Sequence, residues 1–166
     1  MPSDSTLERL SAAVGARLLA RGHFITTAES CTGGWVAKAL TDIAGSSQWF
    51  AQGWVTYGNE AKHAQLGVPL RVLARHGAVS GPVVESMARG ALRRAGAHAR
   101  IAIAVSGIAG PGGAVSGKPV GTVWFAWACR GARGIEVFTE RRLFRGDRQQ
   151  VRRRSVEFAL KRVLTL

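Results

Sequence analysis

VGTVWFAWACRGARGIEVFTERRLF, residues 120–144, decides how the sheet of this protein is built. Residues 120–129 and 135–144 are both rich in the aromatic and β-branched side chains that favour strands. The link between them, RGARG, is too short to hold a helix. Two strands joined this way run antiparallel, because a parallel return needs a crossover of a dozen or more residues. Just upstream, RIAIAVSG (100–107) is a continuous apolar run of strand length, as expected of a strand buried on both faces, and the glycine-dense loop GIAGPGGAVSGKP follows it.

The rest of the chain alternates. Ser5 and Glu8 have capping-box spacing, and Leu7, Leu10, Val14 and Leu18 recur at helical period until Gly22. FITTA (24–28) reads as a short buried strand, after which Thr32 is expected to cap a helix carrying Val36, Leu40 and Ile43 on one face. WFAQGWVTY (49–57) reads as the next strand. Asn59 is expected to cap a short helix through Leu66, and Pro69 begins another that Gly77 closes. Ser80 with Pro82 opens a longer helix with Val84, Met87, Ala88 and Ala91 inward, and Asp147 caps the last one. Alternation first and a hairpin late predict a three-layer α/β/α single domain over residues 1–166, with a mixed sheet.

Composition bounds the function classes. The 46% hydrophobic and 20% charged content is that of a globular domain, and no apolar run approaches the roughly 18 to 20 residues that span a bilayer. The amino terminus, MPSDSTLERL, has no basic start followed by an apolar stretch, so a cytoplasmic location is expected. Cys31 and Cys129 form no CxxC pair, and His23, His63, His76 and His98 lack HExxH spacing, so neither a structural metal nor a cofactor is expected. The net charge of +13 would suit a nucleic-acid partner. Much of it lies in ERRLFRGDRQQVRRRSVEFALKR (140–162), where Val151, Val156, Phe158 and Leu160 interrupt the arginines as on an amphipathic helix with a solvated face.

Three polar clusters fall where strands end and helices or loops begin, the place where α/β sheets gather ligands. They are Glu29, Ser30 and Cys31; Tyr57, Asn59 and Lys62; and Ser106 with the glycine loop that begins at Gly107. Taken singly each has an ordinary reading: SCTGG as a capped helix start, Tyr57 as a core tyrosine, Lys62 as a solvated surface lysine. GGAVSGK (112–118) fits the opening of a phosphate-binding G-x-x-x-x-G-K loop. Pro119 stands where that motif needs a Ser or Thr for magnesium, and a strand follows where it needs a helix, so an ATPase is not expected. A serine paired with a neutral lysine is a known route to acyl transfer, given backbone N–H groups for the oxyanion, which the junction from Ser30 to Gly34 could supply. Cys31 offers a thiol at the same junction.

From about residue 6 to residue 160 the sequence resembles the CinA carboxyl-terminal domain family, the PncC-type nicotinamide-nucleotide amidohydrolases. The blocks that carry the likeness are AESCTGG (28–34), VTYGNEAK (55–62), HGAVS (76–80), SGIAGP (106–111), KPVGTVW (118–124) and FRGDRQQVR (144–152), in that order. The resemblance implies hydrolysis of the carboxamide of nicotinamide mononucleotide to nicotinate mononucleotide and ammonia, within NAD recycling. It implies Ser30 as nucleophile and Lys62 as its base, with Tyr57 in support. The implied substrate-binding set is Cys31, Thr32, Gly33, Gly34, Asn59, Ser106, Gly107 and Arg148, and a dimer or larger homo-oligomer is expected. Gly58, Gly81 and GPGGAVSG depart from commoner forms of these blocks and bear on pocket shape. Longer CinA proteins carry a further amino-terminal domain, so a stand-alone form is expected here. The rival reading is a catalytically weak CinA-like protein that binds DNA or a partner through its basic C-terminal helix.

Overall fold

In the computed structural model, which describes residues 1–166, the chain runs α1 (Asp4–Ala20), β1 (Phe24–Glu29), α2 (Trp35–Thr41), β2 (Phe50–Val55), α3 (Asn59–Leu66), α4 (Leu70–His76), α5 (Gly81–Arg94), β3 (Ala99–Gly107), β4 (Thr122–Gly131), β5 (Gly134–Leu143) and α6 (Arg148–Val163). One five-stranded sheet has the order β2-β1-β3-β4-β5. β1 runs parallel to both neighbours, while β3, β4 and β5 are successively antiparallel. The hairpin expected at residues 120–144 is the β4–β5 pair, closed by Ala132 and Arg133 between the partners Gly131 and Gly134. The sheet is mixed and the fold is α/β, as the sequence predicts.

Side-chain period two gives the sheet two unlike faces. Ile101, Ile103 and Val105 of β3 and Val123, Phe125 and Trp127 of β4 pack beneath α1, α2 and α6. The alternate residues Ala102, Ala104, Ala126 and Ala128 meet α5. Small side chains on the sheet let α5 settle close, and the far side of α5 is just as tight. A Cβ on Gly90 would stand 1.9 Å from the carbonyl oxygen of Leu66, so this glycine permits α5 to touch the end of α3. The opposite layer is held by bulk instead: Trp127 is fully buried and donates its indole N–H to the Ala159 carbonyl of α6 at 3.0 Å.

Three caps differ from the sequence reading. α1 begins two residues early, with Ser3 accepting from the Thr6 amide at 3.2 Å, so Ser5 lies within the first turn and Ser5 and Glu8 form no box. Asn59 is the first helical residue of α3 and so cannot cap it; the extended Gly58 precedes it and offers no side chain. Thr32 does not cap α2, whose N-cap position is Gly34 in the left-handed region at φ 91°. Asp147 does cap α6, in a reciprocal box with Gln150. No helix is long and apolar enough to cross a membrane.

Candidate active site

β1, β2 and β3 are parallel neighbours, so their carboxyl ends open at one edge of the sheet, and the chain leaves them at Ser30, Thr56 and beyond Ser106. The turn after β1 is shaped by Glu29. Its fully buried carboxylate accepts from the amides of Gly34 at 3.0 Å, Val36 at 3.0 Å and Ala37 at 2.8 Å. These are the orphan donors at the start of α2, and an anion is the partner they favour. Gly33 and Gly34, at φ 62° and 91°, fold residues 30–34 back so that the helix start faces its own strand end. The cap therefore comes from the strand, and the Thr32 hydroxyl is left buried without a hydrogen bond.

Lys62 reaches this turn from α3 on the other side of the sheet. The side chain is fully buried, and Nζ lies 3.1 Å from Ser30 Oγ, 2.8 Å from the Thr56 carbonyl and 2.9 Å from the Tyr57 carbonyl. No carboxylate pairs with it; the ion pairs of the molecule lie elsewhere. Loss of hydration disfavours the ammonium and lowers the Lys62 pKa below its ordinary 10.5, and only the Cys31 thiolate would act to raise it. The surface-lysine reading of this residue is overturned: a mixed run, NEAKHAQL, turns Lys62 and Leu66 inward on one face.

Cys31, beside Ser30, has the opposite fate. It is buried, and desolvation with the Glu29 carboxylate nearby pushes its thiol up to about 12. A group so hard to ionise is a poor nucleophile at neutral pH.

Farther out, Tyr57 is exposed rather than in the core, and its hydroxyl accepts from Arg148 Nη2 at 2.9 Å. Arg148 also donates from Nη1 to the Gly110 carbonyl at 2.7 Å, tying α6 to the glycine loop. Asn59 is exposed at the start of α3. Ser106 is buried and donates to the Ala78 carbonyl at 2.8 Å, fastening the loop before α5. Gly107 serves packing, since a Cβ there would stand 2.7 Å from Val123 Cγ2 and 2.8 Å from the Thr122 carbonyl.

Within the turn, the Gly33 amide donates to the Ser30 carbonyl at 3.0 Å and the Gly34 amide to Glu29, whereas the amides of Cys31 and Thr32 make no backbone hydrogen bond. Sequence reasoning missed Arg152, which lies one helical turn beyond Arg148. It donates from Nε to the Cys31 carbonyl at 3.1 Å and from Nη2 to the Thr32 carbonyl at 2.8 Å. The basic helix is accordingly less solvated than its charge suggested: Arg152, Arg153 and Arg154 are half-buried, and each donates to a carbonyl of the chain. The 112–118 stretch leads into strand β4, not a helix, as its failed match to a phosphate loop required. No group of three or more His, Cys, Asp or Glu side chains with the spacing of a metal site is assembled.

The fold and site define an α/β protein with a buried serine–lysine pair at the carboxyl edge of its sheet. The CinA C-terminal domain family matches residues 7–166, and the chain belongs to it. It is 58% identical over 158 residues to the nicotinamide-nucleotide amidohydrolase PncC of Escherichia coli (strain K12), covering 95% of this chain and 93% of that one. It is 52% identical over 162 residues to the protein of the same name from Enterobacter agglomerans, covering 98% and 96%. The crystal structure of the competence/damage inducible protein CihA from Agrobacterium tumefaciens matches with a TM-score of 0.90 at 42% identity, over 99% of this chain and 96% of that one.

Proposed function

We propose that this chain is a nicotinamide-nucleotide amidohydrolase that converts nicotinamide mononucleotide to nicotinate mononucleotide and ammonia, with Ser30 as nucleophile and Lys62 as base. The observation that carries it is the environment of Nζ. A neutral amine has two hydrogens and one lone pair, and here two carbonyls accept the hydrogens, so the lone pair is left for the Ser30 hydroxyl. Burial without a carboxylate favours that neutral form. The two amidohydrolases above, named for a nicotinamide nucleotide, point to the substrate class.

In the proposed reaction Ser30 Oγ adds to the carboxamide carbon as its proton passes to Lys62 Nζ. The C–N bond then breaks and Lys62 returns the proton to the departing nitrogen, which leaves as ammonia. Water attacks the resulting ester, again giving a proton to Lys62; the C–O bond breaks as Ser30 recovers that hydrogen, and the product departs as nicotinate, the second proton of the water passing to solvent. Arg148, exposed beside Tyr57, supplies a guanidinium for the anionic nucleotide. The reading extends to residues 1–166 acting as one amidohydrolase domain, to a homo-oligomer in the cytoplasm and to return of the product to NAD synthesis, on family likeness. The DNA-binding alternative loses support because the run Arg152, Arg153 and Arg154, the densest charge of α6, is half-buried and each of the three donates to a carbonyl of the protein itself. The test is ammonia release from nicotinamide mononucleotide, with nicotinate mononucleotide identified chromatographically; a purified, folded protein that releases neither overturns the reading.

A further inference from the structure

We infer that Arg152 is a positioning residue that aims the amide of Thr32 at the oxyanion formed during acyl transfer to Ser30; this rests on the reaction proposed above. The turn that carries Ser30 has few amides to offer. Those of Gly33 and Gly34 already donate, to the Ser30 carbonyl and to Glu29, which leaves Cys31 and Thr32. A trans peptide is planar, with its C=O and N–H pointing in opposite directions. The Cys31 carbonyl and the Thr32 amide belong to one such plane. Arg152 Nε holds that carbonyl toward α6 at 3.1 Å, and so turns the Thr32 N–H away from α6. Nη2 holds the next carbonyl, Thr32, at 2.8 Å, so one guanidinium fork fixes two consecutive peptides.

The fork itself is seated. Its guanidinium carbon lies 5.4 Å from the centroid of the Trp35 ring, on the first residue of α2. Arg152 thus joins α6, α2 and the nucleophile turn through contacts that span 120 residues of sequence. It has no hydrogen bond to Ser30 Oγ or Lys62 Nζ, and it is not among the groups that shift the lysine.

The experiment compares wild type, Arg152→Lys and Arg152→Ala with nicotinamide mononucleotide across pH. A misdirected oxyanion donor is felt in the transition state, so kcat should fall about 100-fold in both variants while KM stays within about twofold. The midpoint of the pH profile should not move. Guanidinium or methylguanidinium added to folded Arg152→Ala should restore part of the rate. Lysine keeps the charge and the stem but not the fork, so an Arg152→Lys protein with wild-type kcat overturns the inference. So does a folded Arg152→Ala protein that keeps its kcat, a loss confined to KM, or a displaced pH midpoint. If Arg152→Ala does not fold by circular dichroism, Arg152→Lys alone decides. An inactive wild type would instead strike the proposed function, so the two failures are distinct.

Discussion

Two hydrogen-bonded pairs of nearly equal length define the site, and they are opposites in surroundings. Lys62 and Ser30 meet at 3.1 Å with the lysine wholly out of water, whereas Arg148 and Tyr57 meet at 2.9 Å with Tyr57 59% exposed. Burial changes what a charge does: the inner lysine trades water for three neutral oxygens, with no carboxylate to offset the loss of hydration, and its ammonium becomes unfavourable. The outer arginine presents its guanidinium fork in a screened medium and is suited to hold an anion. The inner pair is built for proton transfer and the outer for holding.

The largest effects should come from the inner pair. Ser30→Ala should lower kcat on the order of 10⁴-fold or more, Lys62→Ala should match it, and the double variant should be hardly worse, since a nucleophile and its base act as a unit. Cys31→Ala should keep most of the activity. An active Ser30→Ala protein, or a folded but dead Cys31→Ala protein, would hand the role to the thiol.

Next in size is the pH response, which should separate the two pairs. Lys62 is inactive as an ammonium, so kcat/KM should climb with pH to a midpoint below the ordinary 10.5 of a lysine. The corresponding stability effect has the same sign. Between the lowered folded pKa and the unfolded one the unfolded chain binds more protons, so stability rises with pH, and the cost of the buried amine is felt in full below that window. A rate profile that is flat from pH 6 to 10 would mean that Lys62 does not titrate in catalysis.

Arg148→Ala tests the outer pair and should raise KM for the nucleotide about tenfold while kcat changes little. The difference from wild type should shrink as ionic strength rises, as a screened contact requires. Tyr57→Phe should do least, about a twofold to threefold rise in KM, because it removes the hydroxyl that meets Arg148 but keeps the carbonyl that meets Lys62. Were Tyr57→Phe as damaging as Lys62→Ala, the division into inner and outer pairs would be wrong.

Much of this was legible in the sequence where the signal was local. The apolar run of β3, the short link between β4 and β5 and the Asp147 cap are each decided by a few adjacent residues, and the mixed sheet follows. Ser30 and Lys62 stood in recognisable blocks, but composition alone makes Lys62 a surface residue; it is buried because its side chain reaches the strand ends at Ser30 and Thr56, which are distant in sequence or unmarked by composition. The cap of α2 was misassigned because Thr32 has the right type and spacing, while the donors are taken by a carboxylate from the preceding strand. Arg152 was hidden among arginines because its partners, Cys31 and Thr32, are about 120 positions away and carry no side-chain signal for it.

Glu29 has a further consequence, for the durability of the protein in oxidising conditions. Burial, helped by the carboxylate that secures α2, keeps the adjacent thiol protonated, at a pKa of about 12. Little thiolate forms at pH 7, and peroxide and alkylating agents attack the thiolate. Cys31 is moreover almost closed to solvent. A sulfur atom placed one residue from Ser30 is thereby kept out of reach of redox damage, and the fold can keep a small, soft side chain there without exposing the site to inactivation by oxidants.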